Sequence, residues 1–305
     1  MFDAIGKWGA AAFAALAAAM PAFADDAFPH WAYPVNPPGL APAADDGTQH
    51  MVYDSAQRFT LTQIRDLFKA PDWHPQDHPA MPDVVAVGRK PNVYACGYCH
   101  LPNGAGRPEN ASLAGLPASY IVQQVADFKS GARKSSEADS LPVNLMIAVA
   151  KAVSDEDLKA AADYFSALRP QPTVRVIQSP EVPKTHVQGW MLVRNDPPQM
   201  EAIGQRIIEF PDYLENTELR DPRSTYLAIA PPGSFGRGDE LARGASGGMP
   251  ACTTCHGPGL RGLGPVPALA GRSPSYLFRQ LYDFKHALRR GPWSPLMQQV
   301  IAGLS

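Results

Sequence analysis

Two segments of this chain carry apolar and aromatic residues at a helical period. Tyr120, Gln124 and Phe128, with Ile121 and Val125 beside them, form the first, and Tyr276, Gln280 and Phe284, with Leu277 and Leu281, form the second. Spacing of three to four residues places side chains on one helix face. A third pattern, Ala161, Ala162, Phe165 and Leu168, follows Ser154-Asp155-Glu156-Asp157 and stops at Arg169-Pro170. That is an N-cap, an acidic first turn and a proline stop around an amphipathic helix. Between these blocks, residues 173–232 show short β-branched runs (Val174, Val176, Ile177; 190–193; 206–208) broken by Pro180, Pro183, Pro197, Pro198 and Pro211. They read as a linker with a few short strands. A further helix is expected over 60–69, inside a Pro-rich N-terminal extension. The pattern predicts a mostly α protein in two blocks.

The blocks are copies of one unit. At an offset of 156 residues Leu113-Ala114-Gly115 maps onto Leu269-Ala270-Gly271, Ser119-Tyr120 onto Ser275-Tyr276, Gln124 onto Gln280, and Asp127-Phe128-Lys129 onto Asp283-Phe284-Lys285. An internal repeat held in register this long marks duplicated structure. The second copy is then five residues shorter, and register returns at Leu145-Met146 against Leu296-Met297.

Composition changes the picture in three places. The chain has 305 residues, a soft prior for two domains, and 32 prolines, about twice the usual ~5%. A net charge of −2 leaves no global basic field to suggest nucleic acid. The first 24 residues read as an export signal: Lys7, an apolar run over 9–20, then Ala22-Phe23-Ala24 before Asp25-Asp26. That run is shorter than the roughly 20 residues a bilayer needs. Cleavage after Ala24 is expected, leaving no membrane span and placing the protein in an oxidising compartment such as a bacterial periplasm.

The four cysteines fall on the repeat, in PNVYACGYCHLPN and GGMPACTTCHGPG: Cys96, Cys99 and His100 map onto Cys252, Cys255 and His256. C-x-x-C serves a redox disulfide, half a zinc site or, with His next, covalent attachment of c-type haem. A redox disulfide expects one such motif opening a helix after a strand. Zinc would need two more ligands per unit, yet no further Cys exists and the other His are unmatched between repeats. Haem attachment uses every part, since each thiol adds to one vinyl group and the next imidazole falls under the iron. Two covalently bound haem c groups are therefore expected. The sixth iron ligand is nominated by the repeat: Met146 lies 46 residues after His100, and Met297 lies 41 after His256. A thioether favours Fe(II). Met81, Met249, His74 and His78 are the competing ligands.

The units resemble class I c-type cytochromes in tandem, similar to the diheme cytochromes of bacterial periplasms, over roughly 80–170 and 234–305. The resemblance implies an N-terminal helix packed against a C-terminal helix over each haem, with Met arriving on a loop before the last helix. Carried over, the first helices span about 82–88 and 235–244, and Pro267 supports the proximal His256; the first unit has Ala111 in that place. The expected organisation is signal 1–24, extension 25–79, first cytochrome domain 80–170, linker 171–233 and second domain 234–305. Ser305 corresponds to Ser154, which starts the last helix of the first unit. The missing helix would bury about three large side chains, worth about 5–9 kcal/mol, so a fragment, or a partner covering the second haem, is expected.

Two six-coordinate haems leave no vacant iron position, so one-electron transfer between a redox donor and acceptor is the leading expectation. From Cys252 onward Arg261, Arg272, Arg279, Lys285, Arg289 and Arg290 face one acid, Asp283, a balance that would steer an acidic partner to the second unit. The alternatives are a cytochrome subunit docked on a dehydrogenase, and a diheme peroxidase-like enzyme with one open haem. There is no flavin or nicotinamide fingerprint. Trp31, Trp73, Trp190 and Trp293 read as packing residues, with Trp293 a candidate lining of the second haem pocket.

Overall fold

A computed structural model describes residues 28–244 and 249–304. The export signal lies outside them. In the extension, α1 (Leu61–Ile64) is one turn rather than the helix expected over 60–69. Thr60 and Gln63 close a capping box, but the Asp66 carboxylate then accepts from the Phe68 amide. Such a local turn competes with helix propagation.

The first unit holds α2 (Asp83–Ala86), α3 (Cys96–His100), α4 (Ala118–Ser130), α5 (Leu141–Ala152) and α6 (Asp155–Ala167). α4 ends on left-handed Gly131, and α6 begins where the Ser154 hydroxyl accepts from the Asp157 amide. Val84 and Val85, Ile121, Val125 and Phe128, and Ala161, Ala162, Tyr164, Phe165 and Leu168 share one core.

Residues 173–232 build more than a linker. β1 (Val174–Gln178), β2 (Glu181–Pro183), β3 (Thr185–Gln188), β4 (Met191–Arg194), β5 (Met200–Ala202), β6 (Ile208–Pro211), α7 (Leu214–Glu218) and β7 (Tyr226–Ala230) follow in order. β7 lies between parallel β1 and antiparallel β6; β2 pairs with β5 and β3 with β4, both antiparallel. Val182, Ile203, Ile208, Phe210 and Ile229 form a separate small core. This insert also meets the extension, where Val52, Ile64 and Trp73 pack on its Leu219 and the Trp73 indole donates to the Leu219 carbonyl at 2.7 Å.

The second unit holds α8 (Ser234–Ala242), α9 (Cys252–His256), α10 (Pro274–Lys285) and α11 (Ser294–Ile301). The units meet along a short self-complementary ladder: Lys134 N–H donates to the Leu288 carbonyl at 2.8 Å and Arg290 N–H to the Ala132 carbonyl at 2.7 Å. Residues 132 and 134 map onto 288 and 290 at the repeat offset, so a local two-fold relates the copies here. Two outlying segments hold the second unit in place. Buried Glu209 of β6 accepts from the Ser273 and Ser275 hydroxyls at 2.7 Å and the Ser275 amide at 3.1 Å, capping α10. From the extension, the Trp31 ring packs at a tilt on Phe278, centroids 4.6 Å apart, and the Tyr33 hydroxyl donates to Asp283 at 2.7 Å.

Candidate haem-attachment sites

The two CxxCH segments are single helical turns, α3 and α9. Each ends on a residue with positive φ, Leu101 at 64° and Gly257 at 76°. That left-handed step folds the following loop back under the histidine. Gly106 N–H donates to the His100 carbonyl at 3.0 Å and Gly262 N–H to the His256 carbonyl at 2.7 Å. Leu113 and Ala114 donate to the Gly104 carbonyl as Leu269 and Ala270 donate to Leu260. Each histidine is held from below at the same distance: His100 Nδ1 meets the Ala111 carbonyl at 2.8 Å and His256 Nδ1 meets the Pro267 carbonyl at 2.8 Å. Ala111 thus serves where a proline was looked for, because the acceptor is a backbone oxygen that any residue supplies. A bonded Nδ1–H leaves Nε2 as the lone-pair nitrogen, the form that ligates a metal. Burial lowers the pKa of His100, which favours that neutral ring.

The other expected ligands sort by position. Cys96 and Cys99 are half-buried, and burial pushes the Cys96 thiol up to about 12 and raises Cys99 as well. Met146 lies within α5, not on a loop before it, and packs against the first unit's core together with Cys96. Met297 is half-buried within α11. Of the competitors, His74 is buried against Asp221 at 3.2 Å, and His78 is held by Asp72 at 3.1 Å and the Pro79 carbonyl at 2.9 Å. The His74 ring is thus engaged between extension and insert, and the His78 ring within the extension. Met81 packs against the first core, and the Met249 sulfur lies against Gly303. Trp293 is 62% exposed rather than packed.

The seam between the units contains groups that periodicity did not single out. Arg133 donates to Gln124 of its own unit at 2.9 Å and to Tyr276 and Gln280 of the other at 3.0 and 2.8 Å. Arg289 mirrors it, donating to Gln280 at 3.1 Å and to Tyr120 and Gln124 at 3.4 and 2.6 Å. Arg272 reaches the Ser112 and Ala114 carbonyls, both at 3.0 Å. All three are buried, and all these acceptors are neutral. Among the described residues none has a carboxylate within ion-pair distance. Burial lowers the pKa of Arg272 and Arg289 accordingly. Buried cations call for anions. Two thiols on a turn, an imidazole with its outer nitrogen free and buried guanidiniums without carboxylates suit a macrocycle with two vinyl groups, an iron and two propionates. The residues present fit haem c.

No family model matches the chain. Among curated proteins it is 27% identical over 211 residues to cytochrome c4 of Azotobacter vinelandii, covering 68% of this chain and 75% of that protein. It is 29% identical over 213 residues to the thiosulfate dehydrogenase electron acceptor of Thiomonas intermedia, covering 69% and 71%. A single unit's length, 83 residues or 27% of this chain, is 30% identical to 94% of cytochrome c-554(548) of Halomonas halodenitrificans. The chain belongs to the c-type cytochromes. It is an electron-transfer protein rather than an enzyme, of the diheme kind, with two covalently bound haem c groups and redox proteins as its partners. Among the described residues no helix is long and apolar enough to cross a membrane.

Proposed function

We propose that Cys96 and Cys99 hold one haem by thioether bonds and Cys252 and Cys255 the other, with His100 and His256 as proximal iron ligands and Met146 and Met297 as distal ones. The observation that carries this reading is the equal 2.8 Å support of His100 and His256 in two turns of the same backbone pattern. Haem iron supplies a one-electron couple. The chain's own part is to fix that group. The carbonyls of Ala111 and Pro267 orient the imidazoles, the core around Phe165 excludes water from the first site, and Arg133, Arg272 and Arg289 balance propionate charge.

The partner at the second unit is an acidic redox protein. Residues 234–304 carry eight Lys and Arg against three Asp and Glu, whereas 80–170 carry nine of each. Three of those cations are used inside: Arg272 and Arg289 are buried, and Arg279 donates to the Ala32 and Pro108 carbonyls. Arg261, Lys285 and Arg290 remain exposed, a steering charge that salt should weaken. The compartment is the periplasm, reached through the export signal. Because one relative is named an electron acceptor of thiosulfate dehydrogenase, a dehydrogenase is the donor class to test first.

The deciding experiment is an optical spectrum of the oxidised holoprotein, followed by reduction and carbon monoxide. A Met-to-iron charge-transfer band without a carbon monoxide shift is the expected result. Carbon monoxide binding would remove Met146 or Met297 from the ligand set and revive the peroxidase-like alternative.

A further inference from the structure

The two attachment turns face different surroundings. In the first unit Tyr98, between the cysteines, is 6% exposed. Arg220 of the insert lies over its ring at 3.7 Å and donates to its carbonyl at 2.9 Å. Beside it, Asn103 donates to the Pro222 carbonyl of the insert at 2.8 Å. On the other flank the extension closes in: the Ala95 amide donates to the Leu67 carbonyl at 2.9 Å, and a Cβ on Gly97 would stand 3.1 Å from the Ala70 methyl. The equivalent turn of the second unit has Thr254 where the first has Tyr98, and both Thr254 and Cys255 are exposed. Its backbone bonds involve Ala251, Gly257 and Gly262, and its imidazole bonds to Pro267, all within its own unit. Next to it Leu263 is 57% exposed, in van der Waals range of Gly257, and Arg261 points to solvent.

α6 closes the histidine side of the first turn, where the Tyr164 hydroxyl donates to the Pro102 carbonyl at 2.6 Å and Phe165 lies 6.2 Å from His100; over Tyr98 and Asn103 the cover is Arg220 and Pro222 of the insert. In the same loop of the first unit Arg107 and Glu109 form a buried ion pair at 3.0 Å, and their repeat equivalents, Leu263 and Pro265, are exposed. Since a thioether-bound macrocycle lies against the turn that holds it, cover on the turn is cover on the bonded edge.

We infer that the insert and extension close the first haem to proteins, and that an acidic redox protein exchanges electrons with this cytochrome at the Thr254–Cys255–Leu263 face of the second unit. This rests on the diheme reading above. Electrons of the first haem then enter and leave through the second, one at a time, with the partner's centre losing or gaining the electron that the iron gains or loses. The face suits such a partner: a small apolar centre at Leu263 with a cation at its rim, the build of a transient redox encounter.

Accessibility is tested on the full-length ferric holoprotein with the gadolinium–EDTA anion, reading paramagnetic broadening of the haem methyl signals. The signals are assigned to units through the shifts caused by Tyr98→Phe and Thr254→Ala. The second unit's signals should broaden several-fold more than the first's, and Arg220→Ala should raise the first set toward the second. Equal broadening in the unmodified protein overturns closure. Docking is tested by stopped-flow reduction with reduced flavodoxin, an acidic protein. Arg261→Glu should slow it roughly fivefold at low salt, with convergence at high salt, and Lys90→Glu on the first unit should leave it unchanged. The reverse ranking overturns the port. A haem content other than two per chain would instead defeat the diheme reading itself.

Discussion

In the first unit α6 lays Ala161, Ala162, Tyr164, Phe165 and Leu168 into a core shared with α2 and α4. Among the described residues of the second unit Phe284 and Ile301 are the buried apolar side chains, and none of those residues forms a counterpart of α6. Yet α3 and α9 close the same bonds around their histidines. The attachment turn is therefore a local object, set by a left-handed step, backbone hydrogen bonds within the loop and the bond from the imidazole to a loop carbonyl. The wall around it is assembled from distant chain. Phe165 shows the distinction most sharply, since its ring lies 6.2 Å from His100 and has no described equivalent near His256. Phe165→Ala is expected to cost about 3–5 kcal/mol. It should split denaturant unfolding into two transitions, the first unit's moving and the second's staying in place.

The same comparison runs through one loop position. Gly104 has φ of 70°, and a Cβ there would sit 2.9 Å from the Ala114 amide and 3.1 Å from the Phe165 ring. The second unit has Leu260 at that place with φ of 57°. Gly104→Ala should cost about 2–3 kcal/mol, the left-handed penalty plus the clash with Phe165. Leu260→Gly should change stability by less than ~1 kcal/mol, because relief of strain offsets the added freedom of the unfolded chain. Chemical denaturation of both variants decides it.

Where the units touch, the comparison becomes one of equals. Arg133→Gln and Arg289→Gln should weaken the seam alike, by about 1–2 kcal/mol each. A double-mutant cycle of Arg133→Gln with Tyr276→Phe should return a coupling near ~1 kcal/mol. Unequal losses would mean that the local two-fold at the ladder does not extend to the side chains.

How much of this could be read from sequence depends on range. Helices α4, α6 and α10 were legible because their faces repeat at 3.6 residues, and the attachment turns because each motif is complete within five residues. The support of His100 by Ala111 was not legible, since a carbonyl acceptor carries no residue identity. Arg133 and Arg289 could have been found: they stand in register at the repeat offset, yet an arginine pair has no periodicity to announce it. Arg220 over Tyr98 could not, because it joins residues 122 apart and has no repeat partner. The short strands follow from the sequence, but the insert's core does not, because Val182, Ile203 and Ile229 become one cluster only when separate small sheets assemble.

The smallest expected effect concerns the clamp that the extension places on the first unit. Burial lowers the pKa of His78, but its bonds to Asp72 and the Pro79 carbonyl outweigh that and raise it above 6.5 overall. Asp77 beside it is held below 3.8 by the hydrogen bonds from Arg223. A raised histidine contributes stability that is fully present below its unfolded value and lost as pH climbs through the folded one. A depressed carboxylate contributes stability that is present above its unfolded value and lost as pH falls through the folded one. The clamp should therefore be firmest between about 4 and 6.5 and loosen through neutrality. Because the His78 ring meets Tyr164 at 6.4 Å, the first unit's thermal midpoint should fall as pH rises from 6 to 8 while the second unit's does not, and His78→Gln should flatten that slope. A first-unit midpoint that stays level from pH 6 to 8 in the unmodified protein would mean that the extension does not brace the first unit through His78.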